Sequence, residues 1–253
     1  MSSSVELNDN RKEQFGVVFL DKPVGPTSFD MVRAVRRATG VKKVGHAGTL
    51  DPLASGLLII CIGRPATKMI SRLMAGEKEY EATLQLGIET DTQDSEGKIV
   101  AQRPVGMIAQ EDVERCLAGF VGRQLQTPPA YSALKHKGKS LYYYARKGIA
   151  VVKEPRPIEI HLLETVAFSE DKLTFRVVCG KGTYVRTLAA DIGKALGPGA
   201  CLVALRRTRS GPFSVSDALP GEMLQDRDQG RELLRTHILK VDVVLDTVKE
   251  AEK

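Results

Sequence analysis

The sequence predicts an α+β fold built around a mixed sheet, and three observations carry that expectation. The run "GLLIICIG" at 56–63 is unbroken apolar sequence of strand length, the pattern of a strand covered on both faces. The stretch "KEYEATLQLGIET" at 78–90 alternates apolar and polar residues, the period-two signature of a half-buried strand. Helical patterns fall between such strands without the regular strand–helix alternation that a doubly wound parallel sheet requires. At 253 residues the chain is long enough for one large domain or two lobes.

Taken in order, residues 1–14 are polar and lack aromatic residues, and read as a disordered tail. Gly16 to Leu20 form a short buried strand. Pro23, Gly25 and Pro26 then force a turn leading to Thr27 or Ser28 as a helix cap. "SFDMVRAVRRATG" reads as an amphipathic helix with Phe29, Val32 and Val35 on one side, Arg33, Arg36 and Arg37 elsewhere, and Gly40 ending it. After the 56–63 strand, "PATKMISRLMAG" reads as one helix of about three turns, with Pro65 acceptable in its first turn. "DTQDSEGK" is a turn before a strand at "KIVAQR", and "AQEDVERCLAGFVG" is a helix whose acidic start suits the helix dipole. Between about 124 and 153 periodicity weakens, prolines flank the segment, and basic and aromatic residues concentrate, as in an insertion that leaves the body and returns. Residues 159–197 resume with two strands, a Gly-rich turn and a helix, and 230–253 close the chain as a helical or mixed segment.

Hydrophobic residues at 42% and charged residues at 27% are ordinary globular usage. No apolar run approaches the roughly 18 residues needed to span a bilayer, and the N-terminus lacks a signal-peptide core, so a cytoplasmic protein is expected. Cys61, Cys116, Cys179 and Cys201 are far apart and form no CxxC pair, which supports neither a disulfide framework nor a zinc site. The net charge of +6 is uneven. Lys135, Lys137, Lys139, Arg146 and Lys147 share one short segment with Tyr131, Tyr142, Tyr143 and Tyr144. Cations beside aromatic faces suit a phosphate backbone with exposed bases, whereas the competing reading is a solvated lysine-rich loop with its tyrosines in the core.

Two segments offer chemistry. "GHAGTLDPLASG" at 45–56 sets Asp51 among glycines and a proline. By its own spacing Asp51 is either a helix cap followed by Pro52 in the first turn, or a carboxylate presented at a cleft by small neighbours. His46 has no second histidine at ligand spacing, so it is either a structural imidazole or a ring that stacks on a base or contacts a phosphate. "CGKGTYVRT" at 179–187 matches neither a P-loop nor GxGxxG. Arg186 stands where that strand meets a helix, as a surface cation or as the partner of a carboxylate. The residues alone reach a nucleic-acid-facing domain with one candidate carboxylate and name no reaction.

Read together, "GVVFLDKPVGPTS", "KKVGHAGTLDPLASGLLIICIG", "KEYEATLQLGIETDTQDSEGKIV", "QTPPAYSALKHKGKSLYYYARKG" and "KGTYVRTLAADIG" with "LRRTRSG" resemble the bacterial TruB family of tRNA pseudouridine synthases, in order from about residue 15 to 213. The guide-directed ribosomal pseudouridine synthases are also similar, but "QLGIETDTQDSEGKIV" and the basic insertion favour the stand-alone type. The resemblance implies a pseudouridine synthase catalytic domain with a central mixed, mostly antiparallel sheet flanked by helices, over 15–213. It implies an RNA-binding, thumb-like insertion at about 124–153, and leaves 214–253 as a short extension without the PUA domain that members often carry. It implies that Asp51 is the catalytic aspartate, Arg186 its paired arginine and Tyr80 the tyrosine that stacks on the target base. His46, Tyr184, Leu205 and Lys22 match substrate-site positions, Lys22 with Pro23 matching the family's early "KP" motif, and Lys135, Lys137 and Lys139 fall in the RNA-binding insertion. The implied substrate is uridine 55 in the tRNA T-arm stem-loop, reached by base flipping, with no metal or redox cofactor, no membrane and no obligate protein partner, in a monomer. Competing expectations are a guide-dependent ribosomal RNA modifier and a non-catalytic RNA-binding scaffold.

Overall fold

The computed structural model describes residues 15–132, 134–149, 151 and 153–252, so the expected tail at 1–14 lies outside the described residues. The chain forms two compact units, one made of residues up to Glu79 together with those from Arg206 onward, the other Tyr80–Leu205.

In the first unit, strand β1 (Gly16–Lys22) runs antiparallel to β3 (Ala54–Ile62), in register from Gly16 opposite Ile62 to Lys22 opposite Gly56. Strand β2 (Val44–Ala47) also pairs antiparallel with β3, while β14 (Leu219–Pro220) pairs parallel with β1, so the sheet is mixed. Leu57 to Ile62 are without exposure, as the apolar run requires. Val17, Phe19, Leu57, Ile59 and Cys61 pack with Ala66, Met69 and Phe213 in one core cluster.

Helix α1 (Ser28–Thr39) begins at Thr27 with a reciprocal cap, in which the Thr27 hydroxyl accepts from the Asp30 amide at 3.1 Å and the Asp30 carboxylate accepts from the Thr27 amide at 2.9 Å. It ends at Gly40, whose φ of 71° is the left-handed conformation that glycine adopts without steric cost. Val32 and Val35 are buried as expected, but Phe29 is 51% exposed. Its ring instead carries the guanidinium groups of Arg33 and Arg36, each 5.5 Å from the centroid.

The helix expected after β3 is two short pieces, α2 (Gly63–Thr67) and α3 (Ile70–Leu73). The turn tightens where the Met69 amide donates to the Ala66 carbonyl three residues back, which places Met69 in the core. In the C-terminal region, β13 (Phe213–Ser214) pairs with the end of β12 (Ala200–Ser210). Helix α7 (Arg227–His237) packs on α1, and α8 (Val241–Ala251) sends Val244 and Val248 into the core.

The second unit is built on β4 (Lys78–Leu86), β11 (Lys172–Cys179), β10 (Arg156–Ser169) and β7 (Gly122–Gln126), adjacent in that order. Strand β10 is antiparallel to both of its neighbours. Helix α4 (Gln110–Ala118) packs on β10 and on α6 (Val185–Leu196). The alternating run at 78–90 is two strands, because Gly87 has φ 81° and its neighbour β5 (Ile88–Thr90) pairs with β6 (Ile99–Gln102) in a separate ribbon. In the insertion, β8 (Lys135–His136) and β9 (Lys139–Ser140) make a hairpin through Lys137 and Gly138, both with positive φ, followed by α5 (Leu141–Arg146).

Candidate active site

The first unit holds the 45–56 loop. No helix follows Asp51: the Ala54 amide donates to the Asp51 carbonyl at 3.1 Å, closing a turn that feeds directly into β3. The capping alternative therefore fails, and half-buried Asp51 stands in a turn that is fixed on both sides. Ser28, at the start of α1, both donates to the Leu50 carbonyl at 2.9 Å and accepts from the Leu50 amide at 2.8 Å. The Gly25 amide, in the turn after β1, donates to the Pro52 carbonyl at 2.8 Å.

Beneath this loop lies Arg207, 1% exposed, which the sequence reading did not single out. Its Nε donates to the Leu57 carbonyl at 2.7 Å and its Nη2 to the Gly48 carbonyl at 3.1 Å. Two of the three glycines of the loop fit around it. At Gly56, φ is 101° and a β-carbon would lie 2.3 Å from the Arg207 carbonyl oxygen; at Gly48, φ is 92° and the guanidinium sits 3.2 Å from where a β-carbon would be. A buried cation donating to carbonyls on either side of the turn turns a Gly-rich loop into a fixed one. The signal was present in "LRRTRS", but strand β12 went unrecognised, and a strand is what puts Arg207 inside.

His46 lies on β2, half-buried. Burial first, and the Arg207 charge second, push its pKa below the ordinary 6.5, while a backbone contact with Gly48 opposes them weakly. Its Nδ1 atom is buried without a hydrogen-bond partner. His46 is thus a neutral ring, suited to stacking rather than to salt bridging.

Lys22 has no exposed surface, and its ammonium donates to the carbonyls of Pro23 and Pro26, each at 2.7 Å. These two bonds hold the turn before α1 and offset the cost of burying the ammonium.

The second unit holds Arg186, in the first turn of α6 and 6% exposed, so it is not a surface cation. Its Nη1 donates to the Thr92 carbonyl at 3.1 Å and reaches Asp94 Oδ2 at 3.3 Å, and its Nη2 donates to the Tyr131 carbonyl at 2.7 Å. The carboxylate that Arg186 meets within this unit is therefore Asp94, 4% exposed at its side chain and not singled out by the sequence reading. Asp94 is held by the Thr92 hydroxyl at 2.6 Å and the Glu96 amide at 3.1 Å. One guanidinium thus joins the 92–94 turn, the root of the insertion and the start of α6.

Tyr184 is the residue preceding α6, and its backbone is bracketed by the Gln126 side chain, which accepts from the Tyr184 amide at 2.8 Å and donates to its carbonyl at 3.1 Å. Tyr80 lies half-buried on β4, and Leu205 is 9% exposed on β12. Lys135, Lys137 and Lys139 are exposed on the insertion hairpin. Tyr143 lies between two ammonium groups, with Lys139 4.4 Å and Lys147 4.7 Å from its ring centroid. Lys147 and Lys139 draw the Tyr143 hydroxyl below its usual range. Tyr131 and Tyr142 meet edge to face at 5.8 Å, yet Tyr142 keeps 49% of its surface exposed. Neither reading of the segment holds alone: the tyrosines pack on one another and on lysines while still offering surface.

Burial pushes the Cys61 thiol up to about 12 and raises Cys116 and Cys201, which keeps these thiols protonated and inert. No helix among the described residues is long and apolar enough to cross a membrane.

The fold defines the class first. It matches the crystal structure of a Cbf5–Nop10–Gar1 complex with TM-score 0.71 and 29% identity, over 93% of this chain and 63% of that one. An archaeal box H/ACA Nop10–Cbf5 complex matches with TM-score 0.67 and 28% identity, over 96% of this chain and again 63% of the other. The chain shares the α+β architecture of these neighbours. Its sequence matches the N-terminal domain of the TruB family of pseudouridylate synthases over residues 36–185 and the C-terminal domain of tRNA pseudouridylate synthase B over 186–246. It is 60% identical over 209 residues to the tRNA pseudouridine synthase B of Desulfotalea psychrophila, covering 81% of this chain and 85% of that protein. It is 48% identical to the protein of the same name from Bordetella pertussis, covering 87% and 90%. The chain belongs to the TruB family.

Proposed function

We propose that this protein is an isomerase that converts uridine 55 in the T-loop of tRNA to pseudouridine, with Asp51 as its catalytic carboxylate. The observation that carries the reading is the turn at 51–54, in which the backbone of Asp51 is fixed and its side chain caps no helix. The 60% identical relative, named for tRNA, supports tRNA as the substrate, whereas the matching Cbf5 and H/ACA structures are 26–29% identical.

The reaction breaks the bond from uracil N1 to C1′, turns the base, and joins C5 to C1′. The C5 proton is released and N1 gains one, so composition is unchanged and no electrons are supplied or removed. The base must first leave the T-loop stack, at a cost of a few kcal/mol. Tyr80 and the neutral His46 offset part of that cost by stacking, and Tyr184 and Leu205 line the uracil site. Arg186 is the cation that favours the ionised carboxylate. Lys135, Lys137 and Lys139 bind phosphates of the arm.

The test is release of tritium from 5-tritiated uridine in a T-arm stem-loop by the purified protein, with the product position mapped. Stoichiometric release from position 55 is expected. No release from this RNA overturns the proposal, and release only from another uridine overturns the assignment of position.

A further inference from the structure

The first unit carries a strongly basic concavity that none of the roles above uses. A groove of about 920 Å³ lies between the end of α1, the start of α2 and helix α7, with Lys42, Lys43, Arg64, Arg231 and Arg235 on its walls. A smaller depression of about 380 Å³ shares Lys43 and Arg64, adds Lys68, and reaches Gly45, the residue before His46. All six cations are exposed.

Most of their charge is uncompensated. Glu232 is the one acidic residue lining the groove, and it pairs with Arg235 at 3.1 Å. Elsewhere exposed arginines have their own carboxylates: Arg103 with Glu89, Arg123 with Glu159, Arg176 with Glu164. Among the described residues no carboxylate forms an ion pair with Lys42, Lys43, Arg64 or Lys68. Arg231 donates from Nε to the Ala38 carbonyl at 3.1 Å, which fixes the stem of its side chain at the groove wall. Crowding like charges around one concavity opposes folding and focuses a positive potential there. Such a cluster is stabilised by a ligand carrying several negative charges at regular spacing.

We infer that Lys42, Lys43, Arg64, Lys68, Arg231 and Arg235 form a second RNA-backbone site, a groove that takes duplex phosphates lying beyond the loop being modified. The choice of RNA as the polyanion rests on the proposed function; the presence of an anion site does not. Because the smaller depression ends at Gly45, the groove continues from the segment that carries His46, so one RNA can occupy both. Its cations act by charge and make no base contacts, so the site adds affinity and orientation without sequence preference.

The experiment compares wild type with Lys42→Gln/Lys43→Gln/Arg64→Gln, and with Lys68→Gln/Arg235→Gln, after far-UV circular dichroism has established that each is folded. Kd is measured against salt concentration for an intact tRNA and for an isolated T-arm stem-loop. For intact tRNA the log–log salt slope should fall by about two to three in the triple variant, near one for each phosphate no longer neutralised, and Kd should rise tenfold or more at about 0.1 M salt. Affinity for the stem-loop and kcat on it should stay at wild-type values. An unchanged slope on intact tRNA overturns the inference, and so does an equal weakening on the stem-loop, which would assign these cations to the catalytic site. Binding of inorganic polyphosphate that disappears in the variants while tRNA binding is kept overturns RNA as the ligand. Because these readouts are binding constants, they decide the matter even if the tritium-release assay fails.

Discussion

Replacing Arg207 with methionine tests whether the Asp51 loop is fixed from below. The side chain is 1% exposed and donates to two carbonyls, Leu57 at 2.7 Å and Gly48 at 3.1 Å. Methionine fills comparable space but leaves both oxygens without these donors, at about 1–3 kcal/mol each. Removing a buried cation returns part of that cost, since its desolvation penalty also disappears. The net loss worked from these terms is about 2–4 kcal/mol, which for a chain of this size lowers the melting temperature by roughly 5–15 °C. Differential scanning calorimetry reads the stability change, and single-turnover kinetics at a temperature where the variant is folded read the loop. The rate should fall at least tenfold with RNA affinity little changed, because the loss falls on the placement of Asp51. Arg207→Lys should be intermediate: it keeps the charge but presents one nitrogen where Nε and Nη2 each reach a carbonyl. A methionine variant that melts within about 2 °C of wild type and turns over normally would refute the account of the loop.

Three further outcomes are expected. The folded-state pKa of His46 lies below the ordinary 6.5, so the unfolded chain takes up a proton first. The stability this contributes is complete above about pH 6.5 and is lost as the pH falls from the unfolded pKa toward the folded one; urea midpoints measured from pH 7.5 to 5 should fall less steeply in His46→Gln than in wild type. Arg186→Lys should lose most turnover while keeping most RNA affinity, because one ammonium cannot serve the Thr92, Asp94 and Tyr131 oxygens together; equal losses of affinity and rate would contradict that. Neutralising Lys135, Lys137 and Lys139 should weaken binding and flatten its salt dependence by about one unit of slope for each phosphate set free, and an unchanged slope would make the hairpin a solvated loop.

The legible parts of the fold were those written in local pattern. The 56–63 run, the Thr27 cap and the Gly40 stop each depend on neighbours within a few residues, and each stands where the periodicity puts it. The 65–76 helix and the 78–90 strand were overread for a physical reason. A tightened turn at Met69 and a left-handed Gly87 interrupt patterns that remain apolar or alternating in sequence. Phe29 was assigned inward by spacing, yet two arginines on its own helix cover its ring at the surface. At the site, Asp51 was nameable as a carboxylate but not separable from a helix cap, since Asp–Pro serves both. Arg207 and Asp94 were missed because burial decides their roles. A charged residue in a polar run reads as solvated until a strand or a distant arginine encloses it.

The central claim is that the carboxylate of Asp51 carries the isomerisation, and Asp51→Asn tests it most directly. The substitution keeps the shape of the turn at 51–54, so the variant should melt near wild type and bind T-arm RNA. The account predicts that it forms no pseudouridine at position 55 in an assay where wild type converts the RNA completely. Pseudouridine formed by the folded asparagine variant at the wild-type rate would contradict it.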